Sequence, residues 1–176
     1  MNIIFVTGIG TGIGKTVISA ILTEALGADY WKPIQAGFDD GTDTEWVRDH
    51  ITNGETRVHP EVYKLKKPAS PHIAAKEEGI TISIQKICES VPKITRNLIV
   101  EGAGGLMVPL NDNEFVADLI KSLNAKVILI SRNYLGSINH SLLTANIAKV
   151  KELNVLGWIF NDHYLDYESE ISRWSG

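Results

Sequence analysis

Two lysines, two acids and a run of glycines are the residues of this chain best suited to do chemistry. The segment Val6-Thr7-Gly8-Ile9-Gly10-Thr11-Gly12-Ile13-Gly14-Lys15-Thr16 has the makings of a phosphate-binding turn. Glycines let the backbone turn tightly and aim successive N–H groups inward, as a nest for phosphate oxygens. A helix opening near Lys15 adds the positive end of its dipole. Lys15 can then reach the outer phosphates of a nucleotide, and the Thr16 hydroxyl can hold magnesium. The usual spacing places four residues between the first glycine and Gly-Lys-Thr, which would put that glycine at Ile9; here five residues separate Gly8 from Gly14. The context of strand, loop and helix is kept, so ATP or a related nucleotide with Mg2+ is the expected ligand. Gly12, Ile13, Gly14, Lys15, Thr16 and Val17 are its expected contacts.

Magnesium prefers carboxylate oxygen, and such sites take an acid from the end of a neighbouring strand. Glu101 follows Leu98-Ile99-Val100 and precedes Gly102-Ala103-Gly104-Gly105, whose glycines permit close approach of backbone to a ligand. Asp43, in Gly41-Thr42-Asp43-Thr44, is the second candidate. Alone it reads more often as a helix cap or first-turn acid, and Asp39 and Asp40 leave the choice open from spacing. Lys32 stands at the end of a short strand before Pro33, where ligands of open α/β sheets collect. There it could hold a substrate anion and a transferring phosphoryl group; a surface lysine is the plainer reading. Gly136-Ser137-Ile138-Asn139-His140 opens a long helix whose first N–H groups could receive a carboxylate. His140 and His72 are given no role.

These side chains need a scaffold, and the pattern supplies one. Short apolar, β-branched runs alternate with helix-period segments, as in βαβ units. Strands are expected at 3–7, 29–32, 98–101, 127–131 and 155–161, and helices at 15–26, 43–51, 71–78, 115–123 and 137–153. Thr42 is a possible cap, Ser70-Pro71 has the cap-then-proline order, and Gly27 and Gly79 are placed as helix stops. Residues 52–70 read as a long polar excursion. The expected fold is α/β, a doubly wound and mostly parallel sheet with helices on both faces, in one domain over residues 1–176.

Composition narrows the function classes. The chain has 176 residues, 44% hydrophobic and 22% charged, with a net charge of −4. No basic excess marks a nucleic-acid or anionic-membrane partner. The single cysteine, Cys88, forms no internal disulfide, which fits a cytosolic location. The first residues run directly into a strand, without the charged leader of a secretion signal. No apolar run reaches the ~18–20 residues that span a bilayer. The tryptophans and Cys88 read as core or interface material.

Several segments, in this order, resemble the dethiobiotin synthetase family: the loop 7–16, Lys32-Pro33-Ile34-Gln35-Ala36-Gly37, Asp43, Ser70-Pro71-His72, Glu101-Gly102-Ala103-Gly104-Gly105, Val116-Ala117-Asp118, Gly136–His140 and Gly157-Trp158-Ile159-Phe160-Asn161. The resemblance covers essentially the whole chain. It implies an ATP- and Mg2+-dependent ligase of biotin synthesis, which makes dethiobiotin from 7,8-diaminononanoate and carbon dioxide through a carbamate and a carbamic-phosphoric anhydride. It further implies that Lys32, with Lys15, is catalytic, and that Thr16, Asp43 and Glu101 surround magnesium. Gly102, Ala103 and Gly104 would lie along the nucleotide and Asn161 would contact adenine. Ser137, Ile138 and Asn139 would receive the substrate carboxylate across the interface of a homodimer.

Two departures from the family pattern stand out. Ala36 occupies a position where a hydroxyl residue is frequent, with Gln35 as a replacement contact, and the chain stops at Gly176 where members usually continue for several tens of residues. Two other readings remain: a partition-type regulatory ATPase, whose signature lysine would fall at Gly10, and a nucleotide-binding module without turnover.

Overall fold

The computed structural model describes residues 2–162 and 167–176. In chain order the elements are β1 (Ile3–Gly8), α1 (Lys15–Ala25), β2 (Asp29–Trp31), β3 (Ile34–Ala36), α2 (Asp43–His50), β4 (Val58–His59), β5 (Tyr63–Leu65) and α3 (Pro71–Glu77). There follow α4 (Ile84–Glu89), β6 (Leu98–Glu101), α5 (Val116–Ser122), β7 (Lys126–Arg132), α6 (Ser137–Val150), β8 (Asn154–Asn161) and α7 (Glu168–Ser175). A six-stranded sheet runs β4-β2-β6-β1-β7-β8, and each of its pairings is parallel. β3 and β5 form a separate parallel pair.

Side chains alternate across a strand, so each central strand feeds two cores. Phe5, Trp31, Leu98, Val100, Val127 and Leu129 point into the larger cluster with α4 and α5. Val6, Ile99 and Ile130 point to the other face, beneath α1, and Tyr30 packs there with Ala20 and Val47. This is why β6 and β7 read as continuous apolar runs: neither face meets water. Each such side chain contributes about 1.5–3 kcal/mol by leaving solvent.

Local sequence accounts for most helix ends. Gly14, at φ 93°, turns the loop into α1, and Gly27, at φ 54°, follows its end. Thr42 and Glu45 close a reciprocal capping box on α2, with Thr42 Oγ1 accepting from Glu45 N at 3.0 Å. Pro71 opens α3 as expected, but the Ser70 hydroxyl does not cap it; it contacts His72 Nδ1 at 3.0 Å instead.

Other expectations are corrected. Residues 52–70 are no bare excursion, since β4 extends the main sheet at β2 and β5 pairs with β3. α4 and α7 were not anticipated. β2 stops at Trp31, and α6 ends at Val150 before a turn that puts Glu152 at φ 53°. Of the tryptophans, only Trp31 is fully buried, while Trp46 and Trp174 are exposed. Among the described residues, no helix is long and apolar enough to cross a membrane.

Candidate active site

The carboxyl ends of parallel strands are where backbone leaves the sheet and helix N-termini face solvent. A cleft of about 840 Å³ opens there, at the ends of β1, β2 and β6. It gathers Lys15, Thr16, Lys32, Asp43 and Glu101 on one surface, with Gly12, Gly14, Val17, Gln35, Ala36, Ala103 and Gly104 around them. Beyond β1 the glycine loop turns into α1, and Lys15 Nζ folds back to donate to the Gly10 carbonyl at 2.6 Å. Asn161, at the end of β8, donates from Nδ2 to the Ile13 carbonyl at 3.1 Å and so braces the loop from behind.

Glu101 is the hub. Its side chain is 1% exposed and each oxygen is engaged. Oε1 accepts from Thr16 Oγ1 at 2.9 Å and from Lys32 Nζ at 2.8 Å, while Oε2 accepts from Tyr30 Oη at 2.8 Å. Lys32 Nζ also meets Asp43 Oδ2 at 2.5 Å. Burial by itself would pull the Lys32 ammonium toward neutrality, but the charges of Glu101 and Asp43 more than offset it and raise its pKa above the ordinary value. For Lys15 the same compensation is incomplete. Burial, then the repulsion of Lys32, pulls it down to about 8, with Glu101 and Asp43 only partly opposing. For Tyr30, burial and then the Glu101 charge push the phenol well above its usual pKa, so it is held as a proton donor.

Thr16 Oγ1, Glu101 and Asp43 bring a hydroxyl and two carboxylates to one place, the hard oxygen donors that magnesium prefers. The residues present therefore fit that ion, with Lys32 supplying charge between the two acids.

Other expected residues lie apart from this cleft or behind it. Gln35 lines the cleft, but its amide is spent on the chain itself: Nε2 donates to the Gly37 carbonyl at 2.7 Å and Oε1 accepts from Asp43 N at 3.3 Å. Ser137, Ile138 and Asn139 begin α6 outside the cleft, and Ser137 N already donates to the Tyr134 carbonyl at 2.9 Å. Beside them a second hollow of about 630 Å³ runs along residues 9–13 to Arg132, Tyr134, His140 and Asp162. Gly102 is not on the cleft surface; it serves packing. A Cβ there would stand 2.6 Å from Phe5 Cε1, so Gly102 makes room for that ring, and one at Gly105 would stand 2.9 Å from the Gly8 carbonyl, so the turn after β6 lies close against the backbone at the end of β1.

Sequence reasoning missed Tyr30, Trp46 and the stretch 68–71 as parts of this region. Trp46 had a legible signal, since it lies one helical turn beyond Asp43. Tyr30 had half of one, because it precedes Lys32 by two and shares its side of the strand.

Comparison with known proteins places the chain in a family. Residues 2–172 match a family model described as an AAA domain. The chain is 52% identical over 158 residues to the ATP-dependent dethiobiotin synthetase BioD of Cytophaga hutchinsonii, covering 89% of this chain and 75% of that one. It is 47% identical over 170 residues to the enzyme of the same name from Christiangramia forsetii, covering 96% and 81%. Among solved structures, a ParA family ATPase from Chlorobium tepidum TLS superposes with a TM-score of 0.60 at 12% identity, over 99% of this chain and 80% of that one, a likeness of fold alone. With relatives this similar over most of their length, the chain belongs to the family of ATP-dependent dethiobiotin synthetases.

Proposed function

We propose that this chain performs the reaction its family is named for, in the cleft that holds Lys15, Lys32, Asp43 and Glu101. One amine of 7,8-diaminononanoate adds to carbon dioxide, releasing a proton and leaving a carbamate. A carbamate oxygen attacks the γ-phosphorus of ATP, ADP departs, and a carbamic-phosphoric anhydride remains. The second amine then attacks the carbamoyl carbon, phosphate leaves, and the cyclic urea closes.

The observation that carries this reading is the placement of Lys32 Nζ between two carboxylates in the same cleft as the phosphate-loop lysine. Carbamate and triphosphate are both anions, so their meeting requires fixed positive charge. Lys32 stays protonated because Glu101 and Asp43 hold it so, and its position is set before substrate arrives. Lys15 becomes fully cationic once a triphosphate lies against it. Magnesium, when bound by Thr16, Asp43 and Glu101, supplies further charge neutralisation at the phosphates.

Residues 12–17, with Ala103 and Gly104, line the triphosphate in this reading, and Asn161 sits toward the adenine. Gln35 and Ala36 form the wall beside the reacting amines. Ser137–Asn139 lie away from the cleft of their own subunit, which suits a homodimer in which one copy completes the other's site for the substrate carboxylate. The whole of residues 1–176 acts as one catalytic domain, and the enzyme is cytosolic.

The test is product formation followed by mass spectrometry. A dethiobiotin mass that requires 7,8-diaminononanoate, bicarbonate, magnesium and ATP together is the expected result. ATP binding without any such product would overturn the catalytic reading.

A further inference from the structure

Tyr30 of β2 and Lys32, the residue just past that strand, stand two residues apart, and both end on Glu101. Lys32 takes Oε1 and Tyr30 takes Oε2, each at 2.8 Å. Tyr30 is 0% exposed, its ring wedged with Ala20 of α1 and Val47 of α2. β2 lies directly beside β6, with Tyr30 level with Ile99, so the phenol spans two residues of strand to reach the carboxylate.

We propose that Tyr30 is a positioning residue for the metal-binding carboxylate: its hydroxyl fixes the Glu101 oxygen that faces away from Lys32 and so sets the plane in which the other oxygen is offered beside Thr16. This rests on the reading of Glu101 as a magnesium ligand. Thr16 and Lys32 both act on Oε1, so with Oε2 unheld the carboxylate plane tilts about its last bond and shifts the lone-pair direction of Oε1. Tyr30 prevents this without touching nucleotide, metal or substrate. Outer partners of this kind tune metal affinity by about tenfold or more when removed.

The packing around the ring separates this role from simple support. Ala20 and Val47 hold the ring, while the hydroxyl alone reaches Glu101. Tyr30→Phe keeps the first set of contacts and removes the second.

ATP binding is measured by calorimetry without diaminononanoate, in EDTA and across a magnesium titration, and heat stability is read alongside. Tyr30→Phe is expected to bind ATP in EDTA as the parent does, and to need about tenfold more magnesium for the metal-dependent gain in affinity. Val47→Ala, which loosens the same cluster, is expected to lower the melting temperature and leave the magnesium requirement alone. A parental magnesium requirement in Tyr30→Phe, or an equal shift in Val47→Ala, would overturn the inference. Glu101→Gln is titrated beside them. If it shifts the requirement and Tyr30→Phe does not, only the role of Tyr30 fails. If it shifts nothing, the metal reading of Glu101 fails and the inference goes with it.

Discussion

Lys32 and Glu101 meet at 2.8 Å with side chains only 6% and 1% exposed, so the charge that faces the reacting groups is buried and paired before any ligand enters. Taking one partner from such a pair leaves the other without compensation, at a cost of about 3–5 kcal/mol. Lys32→Met is therefore expected to lower stability by about that much in a urea titration without magnesium. Turnover should fall on the order of 100-fold or more while ATP affinity changes little. A variant that lost ATP affinity alone would make Lys32 a nucleotide ligand.

Lys15 makes a different prediction, because its pKa is lowered to about 8 against an ordinary 10.5. Between those values the unfolded chain holds a proton that the folded chain has released, so this group makes stability rise with pH across that window. Below about pH 8 folding carries the cost of a buried ammonium, and above about 10.5 that cost is gone. A triphosphate beside Lys15 draws the proton back. Calorimetry of ATP binding at pH 9, in buffers of different ionisation enthalpy, should show proton uptake in the parent and none in Lys15→Met. Lys15→Ala should also abolish turnover; near-normal activity would remove the loop from the mechanism.

Gly14 is expected to tolerate no side chain. It has φ 93°, and a Cβ there would stand 2.3 Å from Asn161 Nδ2. The left-handed backbone costs a non-glycine residue about 1–2 kcal/mol, and the clash adds to it. Gly14→Ala should lose ATP binding by calorimetry. Adding Asn161→Ala should relieve the clash but not the backbone strain, so recovery should be partial.

Thr42→Ala removes the cap of α2 one residue before Asp43. The loss should be about 1 kcal/mol, which lowers the melting temperature by about 2–4 °C in a chain of this size. Thr42→Ser should restore most of it, and scanning calorimetry distinguishes the two.

How much of this was legible in the sequence depends on range. The phosphate loop was readable because its glycines and the Lys-Thr pair act on one another within a few residues. β6 and β7 were readable because burial on both faces leaves an uninterrupted apolar run. β3 and β5 were not, since three residues are too few to show a period. The grip of Tyr30 on Glu101, 71 residues away in sequence, was not readable either, because it depends on β2 lying next to β6. Gln35 shows the converse. Its place in the cleft was expected, but the use of its amide on Gly37 and Asp43 follows from a turn that nothing in the residue type announces.

The close approach of the turn after β6 to β1 has a consequence for how the site is built. Gly105 lies against the Gly8 carbonyl and Gly102 against the Phe5 ring, so a side chain at either position would push the two segments apart. Lys15 and Thr16 follow β1 and Glu101 ends β6, and Thr16 joins Glu101 at 2.9 Å. Asp43 stands on the opposite bank, reached through a span with Gly37 at φ 78° and Gly41 at φ 95°. The two carboxylates thus reach the cleft from separate stretches of chain, and Lys32, which meets both, is the tie between them.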